Sequence, residues 1–432
     1  MVSCSVARID TKEKLDQFGR GFTLGLRCPD CGIQPNAQAL GRCDVCGVCL
    51  DVMYDYDVVA SSVKAFPLSQ RPRNMWRWCE LLPCASAPRV GLHTGWTPLT
   101  PAPRLGQFLG LEKLYLKLEN HSAPTFSYKD RVVATGVQHA AESGMKSIAC
   151  VSTGNLGNSL AAIAASAGIH AAVIYPHDVD EPKLSFSSAM GATLFLHQGP
   201  YHAASQLART LDEEFDVPFI NGSLRPFYAE GAKSLLFEIL EQLDWRAPDH
   251  IVIPVGGATL IRKVVKALFE AQEIGLCETT SCQVHAAQAA ACAPVANALA
   301  TDASHLEPFP ARSTVAGSLA NRSPSEGNVA IRDVRRTRGT GVAVSDEEII
   351  EAARLLGRLE GVYAEPAAAA PVAAVVELLR TGRVCRHETV VLTITGSGFK
   401  SVKRDTEPRP RATAGSAEAV ERAFAQWADE QA

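Results

Sequence analysis

Lys129 stands among residues that suit covalent chemistry on an amine. Residues 123–131 read Ala-Pro-Thr-Phe-Ser-Tyr-Lys-Asp-Arg, so the lysine follows a polar turn and opens a helix-forming run. A partly desolvated pocket favours a neutral lysine amine, which can form a Schiff base with an aldehyde. On the Lys-Asp-Arg tripeptide alone, an exposed lysine at a helix start is the better interpretation. The case for Schiff-base chemistry therefore depends on what lies around it.

A glycine turn with polar side chains follows soon after. Residues 152–157 read Ser-Thr-Gly-Asn-Leu-Gly, between a predicted strand and a predicted helix. The backbone amides at such a helix start attract anions, and the hydroxyls of Ser152 and Thr153 can flank a carboxylate. An ordinary turn with a polar cap is the alternative. With Lys129, the turn predicts chemistry on an amino acid.

Two further turns follow predicted strands. Residues 254–260 read Pro-Val-Gly-Gly-Ala-Thr-Leu and open a helix, which suits a phosphate group. They lack the Gly-Lys-Ser/Thr ending of an ATP-binding loop. Residues 395–398 read Thr-Gly-Ser-Gly after the last predicted strand. Each turn alone is a weak signal, but with the lysine they predict an enzyme that uses pyridoxal 5'-phosphate.

Four cysteines near the N-terminus form two Cys-x-x-Cys pairs. Cys28 and Cys31 are separated from Cys43 and Cys46 by eleven residues, and a glycine follows each pair. Four thiolates at this spacing suit one tetrahedral Zn²⁺, which would supply the folding energy of a segment with little core of its own. Because four sulfurs leave no open position, the metal would be structural. The alternative is a ribbon whose thiols are free.

Behind these motifs, strand-like and helix-like runs alternate. The predicted strands are 147–152, 171–175, 193–197, 250–255, 281–285 and 389–395. The predicted helices are 157–167, 182–190, 201–215, 229–243, 260–272, 346–359 and 367–380. Apolar strands separated by helices indicate an α/β fold with parallel sheets covered on both faces. The ligand turns would then lie outside the carboxyl ends of strands.

The order and spacing of these motifs resemble the threonine synthase family, within the fold type II (tryptophan-synthase-β-like) pyridoxal-phosphate enzymes. The resemblance covers about residues 75–403 and includes Trp-Thr-Pro-Leu at 96–99, Glu-Gly-Ala-Lys-Ser at 230–234 and Glu-Pro-Ala at 365–367. It implies that Lys129 holds the cofactor covalently, that Asn155 contacts its ring and that Thr395 faces its pyridine nitrogen. The implied phosphate cradle is Gly256, Gly257, Ala258, Thr259 and Leu260, and the implied substrate-binding residues are Ser152, Thr153, Gly154 and Asn155.

The resemblance also implies an architecture and a reaction. The expected architecture is two doubly wound subdomains of fold type II, preceded by a small zinc ribbon with four cysteine ligands. The expected boundaries are 1–62 for the ribbon segment, 63–404 for the catalytic domain with a mobile small subdomain at about 133–240, and 405–432 for a linker and C-terminal helix. The default reaction is O-phosphohomoserine plus water giving threonine and phosphate. Fold relatives are commonly dimers, so a homodimer is expected.

Four residues near the lysine depart from the usual pattern of the family. Ala123 replaces an asparagine, Phe126 a glycine, Tyr128 a phenylalanine and Val132 a glycine. These changes predict a bulkier pocket near the side chain of the substrate. They leave open a β-replacing synthase that uses a phosphoserine-type substrate, or a synthase of secondary metabolism. An inactive relative that binds partners through its ribbon is a third alternative.

Composition limits the partners. The chain has 432 residues, a formal net charge of −4 and 20% charged residues, which gives no electrostatic reason to expect nucleic acid or an acidic membrane. The N-terminus lacks the apolar run of a signal peptide, and the alanine-rich runs are too interrupted to span a bilayer. A cytoplasmic enzyme acting on a small amino-acid substrate is expected.

Overall fold

Six of the described strands of this computed structural model overlap the short apolar runs that the sequence predicts, and the strands at 23–27, 51–54, 99–101, 113–118 and 341–344 lie outside those runs. The structure describes residues 22–34, 41–177, 179–199, 201–215, 217–277, 281–310 and 312–400. In chain order the strands are β1 (Thr23–Arg27), β2 (Asp51–Tyr54), β3 (Leu99–Pro101), β4 (Lys113–Leu118), β5 (Ser147–Val151), β6 (His170–Pro176), β7 (Thr193–His197), β8 (His250–Pro254), β9 (Gln283–Ala289), β10 (Gly341–Val344) and β11 (Thr389–Ile394). The predicted linker and helix at 405–432 lie outside the described residues, as does part of the predicted ribbon segment.

Helices separate most of these strands. They are α1 (Tyr56–Ala65), α2 (Pro103–Leu109), α3 (Lys129–Glu142), α4 (Asn155–Ser166), α5 (Glu181–Ala189), α6 (Tyr201–Glu214), α7 (Arg225–Glu230), α8 (Ser234–Gln242), α9 (Thr259–Glu273), α10 (Pro294–Ala300), α11 (Gly327–Arg336), α12 (Asp346–Glu360) and α13 (Pro366–Arg380). Among the described residues, no helix is both long and apolar enough to cross a membrane.

Strands β3 to β11 form two largely parallel sheets that place the predicted turns, and β1 pairs with β2 in a separate antiparallel sheet. One sheet has the order β10-β9-β8-β11-β4-β3, and the other has the order β5-β6-β7. Neighbouring strands are parallel in both, except that β3 runs antiparallel to β4. β8 and β11 are buried along nearly their whole length, as expected for strands covered on both faces. The α/β prediction with two parallel sheets is confirmed.

One predicted helix is divided. The sequence predicts a single helix over 229–243, whereas the structure has α7, a 3₁₀ turn at Gly231–Lys233 and then α8. A Cβ atom on Gly231 would lie 2.3 Å from the carbonyl oxygen of Arg131, so this segment crosses α3 at very short range. Periodicity within 229–243 cannot reveal a crossing with a helix that lies a hundred residues earlier.

A buried ion cluster joins α3 to α8 and the central sheet. The Arg131 guanidinium binds Glu119 at 2.7 Å and Glu238 at 2.5 Å, and Lys117 Nζ binds Glu238 at 2.7 Å. These side chains are fully buried. Burial raises the pKa of the Glu238 carboxyl, but the positive charges of Arg131 and Lys117 outweigh burial. The resulting pKa is below its usual value, at about 2. The cluster fixes the base of the helix that begins at Lys129.

Candidate active site

One pocket brings together the turns after β5, β8 and β11 and the start of α3. Most of the predicted site residues line it: Lys129, Ser152, Thr153, Asn155, Gly256, Gly257, Thr259 and Thr395. Gly154, Ala258 and Leu260 are not among its lining residues, and the Leu260 side chain lies in the hydrophobic core. Within the predicted phosphate cradle, Ala258 and Leu260 can therefore contribute backbone groups but no side-chain contact.

Hydrogen bonds between the lysine loop and the last turn position Lys129. Tyr128 N donates to the Thr395 carbonyl at 3.1 Å, and Ser397 N donates to the Phe126 carbonyl at 3.1 Å. The Asp130 carboxylate accepts a bond from the Thr125 hydroxyl at 2.6 Å and one from the Ser159 hydroxyl at 2.7 Å. Asp130 thus anchors the loop to α4, and it does not pair with Arg131, whose partners are Glu119 and Glu238.

The Lys129 amine contacts a phenol. Its Nζ lies 2.6 Å from the Tyr128 hydroxyl oxygen. Burial lowers the pKa of the free Lys129 amine, but the phenols of Tyr128 and Tyr228 raise it, and the net pKa is above its usual value. The Tyr128 oxygen thus opposes the effect of desolvation on the Lys129 amine, because a hydrogen-bond acceptor stabilises the ammonium form.

The turn after β5 presents amides and an asparagine to the pocket. The Ser152 hydroxyl accepts bonds from Gly154 N at 2.9 Å and Gly157 N at 2.8 Å, which holds the turn in shape. Asn155 Nδ2 donates to both oxygens of Glu365, at 2.9 and 3.0 Å. The Asn155 Oδ1 atom is buried without a hydrogen-bond partner among the described residues. A polar ligand group beside Asn155 would remove the cost of that isolation.

The turn after β8 is built to hold an anion at the start of α9. A Cβ atom on Gly256 would lie 2.5 Å from the Ser318 carbonyl oxygen, so only glycine allows this close packing. Ala258 adopts a left-handed backbone with φ of 67°. Arg225 Nη2 donates to the Thr259 hydroxyl at 2.7 Å, which brings a guanidinium to the amino end of the 15-residue α9. Helix amides and a cation together suit a phosphate.

Several pocket residues escaped the sequence prediction. They are Tyr201, Asn221, Arg225, Tyr228, Ser318 and Asn321, whereas Tyr128 and Glu365 lie in motifs that the sequence already points to. The sequence does indicate two of them. Asn221 lies in the polar turn Asn-Gly-Ser at 221–223, and Arg225 lies in the Arg-Pro pair that opens a helix at 225–226. The remaining residues come from segments whose proximity only the fold reveals.

The structure corrects the expectation of a generally bulkier pocket. Of the four departures near the lysine, only Tyr128 lines the described pocket. Phe126 has a left-handed backbone with φ of 60° and leaves 53% of its surface exposed. Val132 follows Lys129 by less than one helical turn, but its side chain is fully buried in the core and does not line the pocket. Phe126 and Val132 therefore give no support for a different substrate.

The four predicted cysteine ligands lie together. Their Sγ atoms are all within 4.8 Å of one another, and Cys28 and Cys43 are buried. Backbone N–H groups of Asp30 and Cys31 donate to the Cys28 sulfur at 3.4 and 3.5 Å. Amides that face a sulfur stabilise the thiolate form, which is the form that binds a metal. The geometry fits the four-sulfur cluster that the spacing predicts.

Comparison with known families and structures defines the class. A family model described as pyridoxal-phosphate dependent enzyme matches residues 90–396. Maize serine racemase matches with a TM-score of 0.61 and 18% identity, over 78% of this chain and 94% of that one. A threonine deaminase of Solanum lycopersicum matches with a TM-score of 0.59 and 18% identity, over 79% of this chain and 89% of that one. The fold and the pocket thus define a fold type II pyridoxal-phosphate-dependent enzyme.

Sequence relatives narrow this class. The threonine synthase of Methanosarcina acetivorans is 35% identical over 377 residues, which is 87% of this chain and 92% of that protein. The threonine synthase of Methanocaldococcus jannaschii is 33% identical over 388 residues, 88% of this chain and 95% of that protein. The one from Mycobacterium tuberculosis is 36% identical over 312 residues, 72% of this chain and 83% of that protein. The chain belongs to the threonine synthase family.

Proposed function

We propose that this enzyme converts O-phosphohomoserine and water to threonine and phosphate. The observation that carries the proposal is the convergence of Lys129, Asn155 and the anion-binding turn at 256–259 in one pocket. The chain that forms this pocket is 35% identical to a threonine synthase along most of its length. Membership of an enzyme family favours catalysis over the alternative of an inactive, ribbon-dependent binding protein.

The residues of the pocket fit pyridoxal phosphate. We assign the covalent link to Lys129 and the ring contact to Asn155, whose buried Oδ1 has no described partner. Thr395 faces the pyridine nitrogen in this assignment, and a hydroxyl there leaves the nitrogen unprotonated. Bound pyridoxal phosphate supplies an electron sink for negative charge at the substrate carbon next to the amine. An unprotonated nitrogen limits that delocalisation, which favours elimination and replacement over transamination.

Each end of the pocket has a separate task in this proposal. The amides and hydroxyls of Ser152, Thr153, Gly154 and Asn155 bind the carboxylate of the substrate. The turn Gly256, Gly257, Ala258, Thr259 and Leu260 holds the cofactor phosphate, with its backbone at Ala258 and Leu260. Arg225 stabilises that phosphate through its position beside Thr259. Lys129, once released from the cofactor, moves protons at Cα and Cβ of the substrate.

We further propose that Cys28, Cys31, Cys43 and Cys46 bind one structural Zn²⁺. In a tetrahedral site with zinc–sulfur distances of about 2.3 Å, the sulfurs are about 3.8 Å apart. The described contacts of 3.3 Å between Cys28 and Cys46 and 3.5 Å between Cys31 and Cys43 are near this spacing. Metal analysis of the purified protein tests the assignment, with about one zinc per chain expected.

Phosphate release from a pair of phosphorylated amino acids tests the reaction. The wild-type protein should release phosphate from O-phosphohomoserine and form threonine in equal amount. Lys129→Ala should lose this activity and the visible absorbance of the bound cofactor, whereas Lys113→Ala, at an exposed lysine on β4, should keep both. Release from O-phosphoserine with sulfite or sulfide, and none from O-phosphohomoserine, would instead favour the β-replacing alternative.

Assembly and location stay predictions. Sedimentation of the purified protein at micromolar concentration should give the mass of a homodimer. Fractionation of the source cells should place the protein in the cytoplasm. Neither result bears on the chemistry assigned to Lys129.

A further inference from the structure

The Tyr128 hydroxyl touches the amine on which the proposed chemistry depends. The distance from the hydroxyl oxygen to Lys129 Nζ is 2.6 Å, and Nζ lies 4.5 Å from the centroid of the phenol ring. Side chains of consecutive residues within a helix do not face each other. Here they meet because Tyr128 precedes the first turn of α3 and its backbone N–H is held by the Thr395 carbonyl. The contact is therefore built into the loop.

A phenol can serve an amine in both of its charge states. An ammonium group has only donors, so the phenol oxygen accepts from it. A neutral amine has a lone pair, so the phenol donates its O–H to it. Tyr128 can make one hydrogen bond in either state without moving and without changing its own charge. The phenylalanine that usually occupies this position in the family offers neither interaction.

We propose that Tyr128 is the hydrogen-bond partner that holds Lys129 while the lysine carries protons, which makes it a positioning residue of the reaction. The inference rests on the proposed function of Lys129. When the Lys129 amine takes a proton from a substrate carbon, the resulting ammonium donates to the Tyr128 oxygen. When the ammonium gives that proton to another substrate carbon, the neutral amine accepts the Tyr128 O–H. One proton moves, and no other reactant is needed.

The other groups around Lys129 do not duplicate this contact. Tyr201 from α6 and Tyr228 from α7 line the same pocket, and their phenols also raise the pKa of Lys129, but neither has a described hydrogen bond to its amine. Arg225 binds Glu326 and Thr259, while Glu365 accepts from Asn155. Tyr128 is thus the direct partner of Lys129 among the described contacts.

Labelling of Lys129 as a function of pH tests the contact without cofactor or turnover. The full-length wild-type protein, Tyr128→Phe and the control Tyr115→Phe, at a tyrosine on β4 outside the pocket, are treated with a small amine-reactive reagent before cofactor is added. Peptide mass spectrometry then gives the midpoint pH of Lys129 labelling. A change in access scales the rate at every pH, whereas a change in protonation moves the midpoint.

We expect Tyr128→Phe to lower the midpoint so that the reactive amine fraction near pH 8 rises about tenfold, because the ammonium loses a charge-assisted acceptor. Tyr115→Phe should match the wild type. With pyridoxal phosphate and O-phosphohomoserine, Tyr128→Phe should lower kcat about tenfold or more with little change in KM, and it should shift the pH profile of kcat.

Two outcomes would overturn the inference, and they differ. An unchanged labelling midpoint in Tyr128→Phe, in a protein that binds cofactor and releases phosphate, would reject the role of Tyr128 alone. A wild-type protein that neither binds cofactor nor releases phosphate would reject the proposed function and, with it, any proton carrying by Lys129. A melting temperature of Tyr128→Phe equal to that of the wild type excludes misfolding as the cause of a positive result.

Discussion

Gly154 forms the bend between β5 and α4 with φ of 137°, a backbone conformation that side chains other than glycine rarely adopt. A Cβ atom there would lie 2.2 Å from Cδ of Lys183. The dihedral angle therefore requires glycine, and an added Cβ atom would also displace the Lys183 side chain. The backbone of this residue shapes the turn that we assign to the substrate carboxylate.

The Gly154→Ala substitution should disturb this turn more than a glycine-to-alanine substitution does at a position where the added Cβ atom meets no other atom. We expect a loss of about 1–3 kcal/mol in the free energy of unfolding, from backbone strain, and a rise in KM of about tenfold as the amides shift. Gly168→Ala is the matched control, because Gly168 has φ of 68° but no atom within 4 Å of the added Cβ. Urea titration and steady-state kinetics measure both. Equal effects of the two variants would contradict the steric argument.

For single residues, the sequence predicts which residues belong to the site better than it predicts which side chains those residues contact. Lys129, Asn155 and Thr395 are readable because each stands in a motif with a fixed relation to a strand or helix end. Tyr228 and Ser318 reach the same pocket from other elements, through contacts that no local pattern encodes. The charge of Lys129 depends on the neighbouring phenol of Tyr128 and the more distant one of Tyr228, which raise its pKa against the effect of burial.

Among the elements, α3 and α8 depend on each other through buried charges. Glu238 accepts bonds from Arg131 and Lys117, and also from the backbone N–H groups of Trp96 and Thr97 at 2.6 and 3.1 Å. All of its oxygen atoms are therefore occupied. The cluster supports the helix that presents Lys129.

Glu238→Gln should be severe, because Glu119 then remains as the carboxylate partner of both Arg131 and Lys117, and the buried cluster keeps one uncompensated positive charge. We expect it to lower the free energy of unfolding by about 3–5 kcal/mol. Glu377→Gln, in an exposed pair with Arg380, should have no measurable effect. Denaturant titration of both variants is the measurement. A small effect of Glu238→Gln would show that water or a rearrangement of side chains compensates the positive charge that is left in the cluster.

A second buried chain of polar groups lies at the start of β8 and β9. Thr340 N donates to His285 Nδ1 at 3.2 Å, so the proton of His285 is on Nε2, which lies 3.0 Å from His250 Nδ1. His250 Nε2 lies 3.0 Å from Glu388 Oε2. Burial, and then His250, lower the pKa of His285 from its usual 6.5 to about 3. The folded protein therefore holds His285 neutral.

This neutrality makes stability dependent on pH. Between about pH 6.5 and 3 the unfolded chain binds more protons at His285 than the folded one, so stability is lost as the pH falls through this window. The contribution is on the order of 1.4 kcal/mol per pH unit below 6.5. Urea titrations at pH 7 and pH 5 should show a smaller loss for His285→Gln than for the wild type. His170→Gln, at an exposed histidine, should keep the slope of the wild type.

The elements themselves are largely predictable. Strands β5 to β8 and helices α12 and α13 lie within a few residues of the predicted bounds, because each has a strong apolar pattern and a clear polar boundary. The Ser345 capping box, for instance, sets the start of α12. The division of the predicted 229–243 helix depends on a close approach to Arg131 that lies far away in sequence.

At the scale of the whole molecule, the segment that carries Cys28 to Cys46, called the cysteine segment here, packs against the part of the pocket wall formed by residues 221–225. A Cβ atom on Gly41 would lie 2.7 Å from the Ser223 carbonyl oxygen, so the backbone before Cys43 rests on the turn that leads to Arg225. Asp51, at the start of β2, binds Arg262 at 2.8 Å and Lys263 at 2.7 Å on α9. These contacts connect the proposed metal site to the pocket wall and to α9, the helix that follows the proposed phosphate-binding turn.

Loss of the metal should therefore loosen the pocket wall. Cys46→Ser should lower the zinc content and increase backbone hydrogen exchange at residues 222–226, because the cysteine segment has few buried apolar side chains to hold its shape without metal. KM for O-phosphohomoserine should rise, since Asn221 and Arg225 on this wall line the pocket. Cys385→Ser removes an exposed thiol outside the cluster and should change none of these quantities.

The pattern of exchange separates a local effect from a general one. If the cysteine segment acts on the wall through the Gly41 contact, exchange should rise at 222–226 and stay unchanged in β8 and β11, which lie in the central sheet away from it. Uniformly faster exchange would indicate global destabilisation instead. Unchanged exchange at 222–226 in a zinc-free variant would mean that the wall keeps its shape independently, and that the segment has a role apart from the active site.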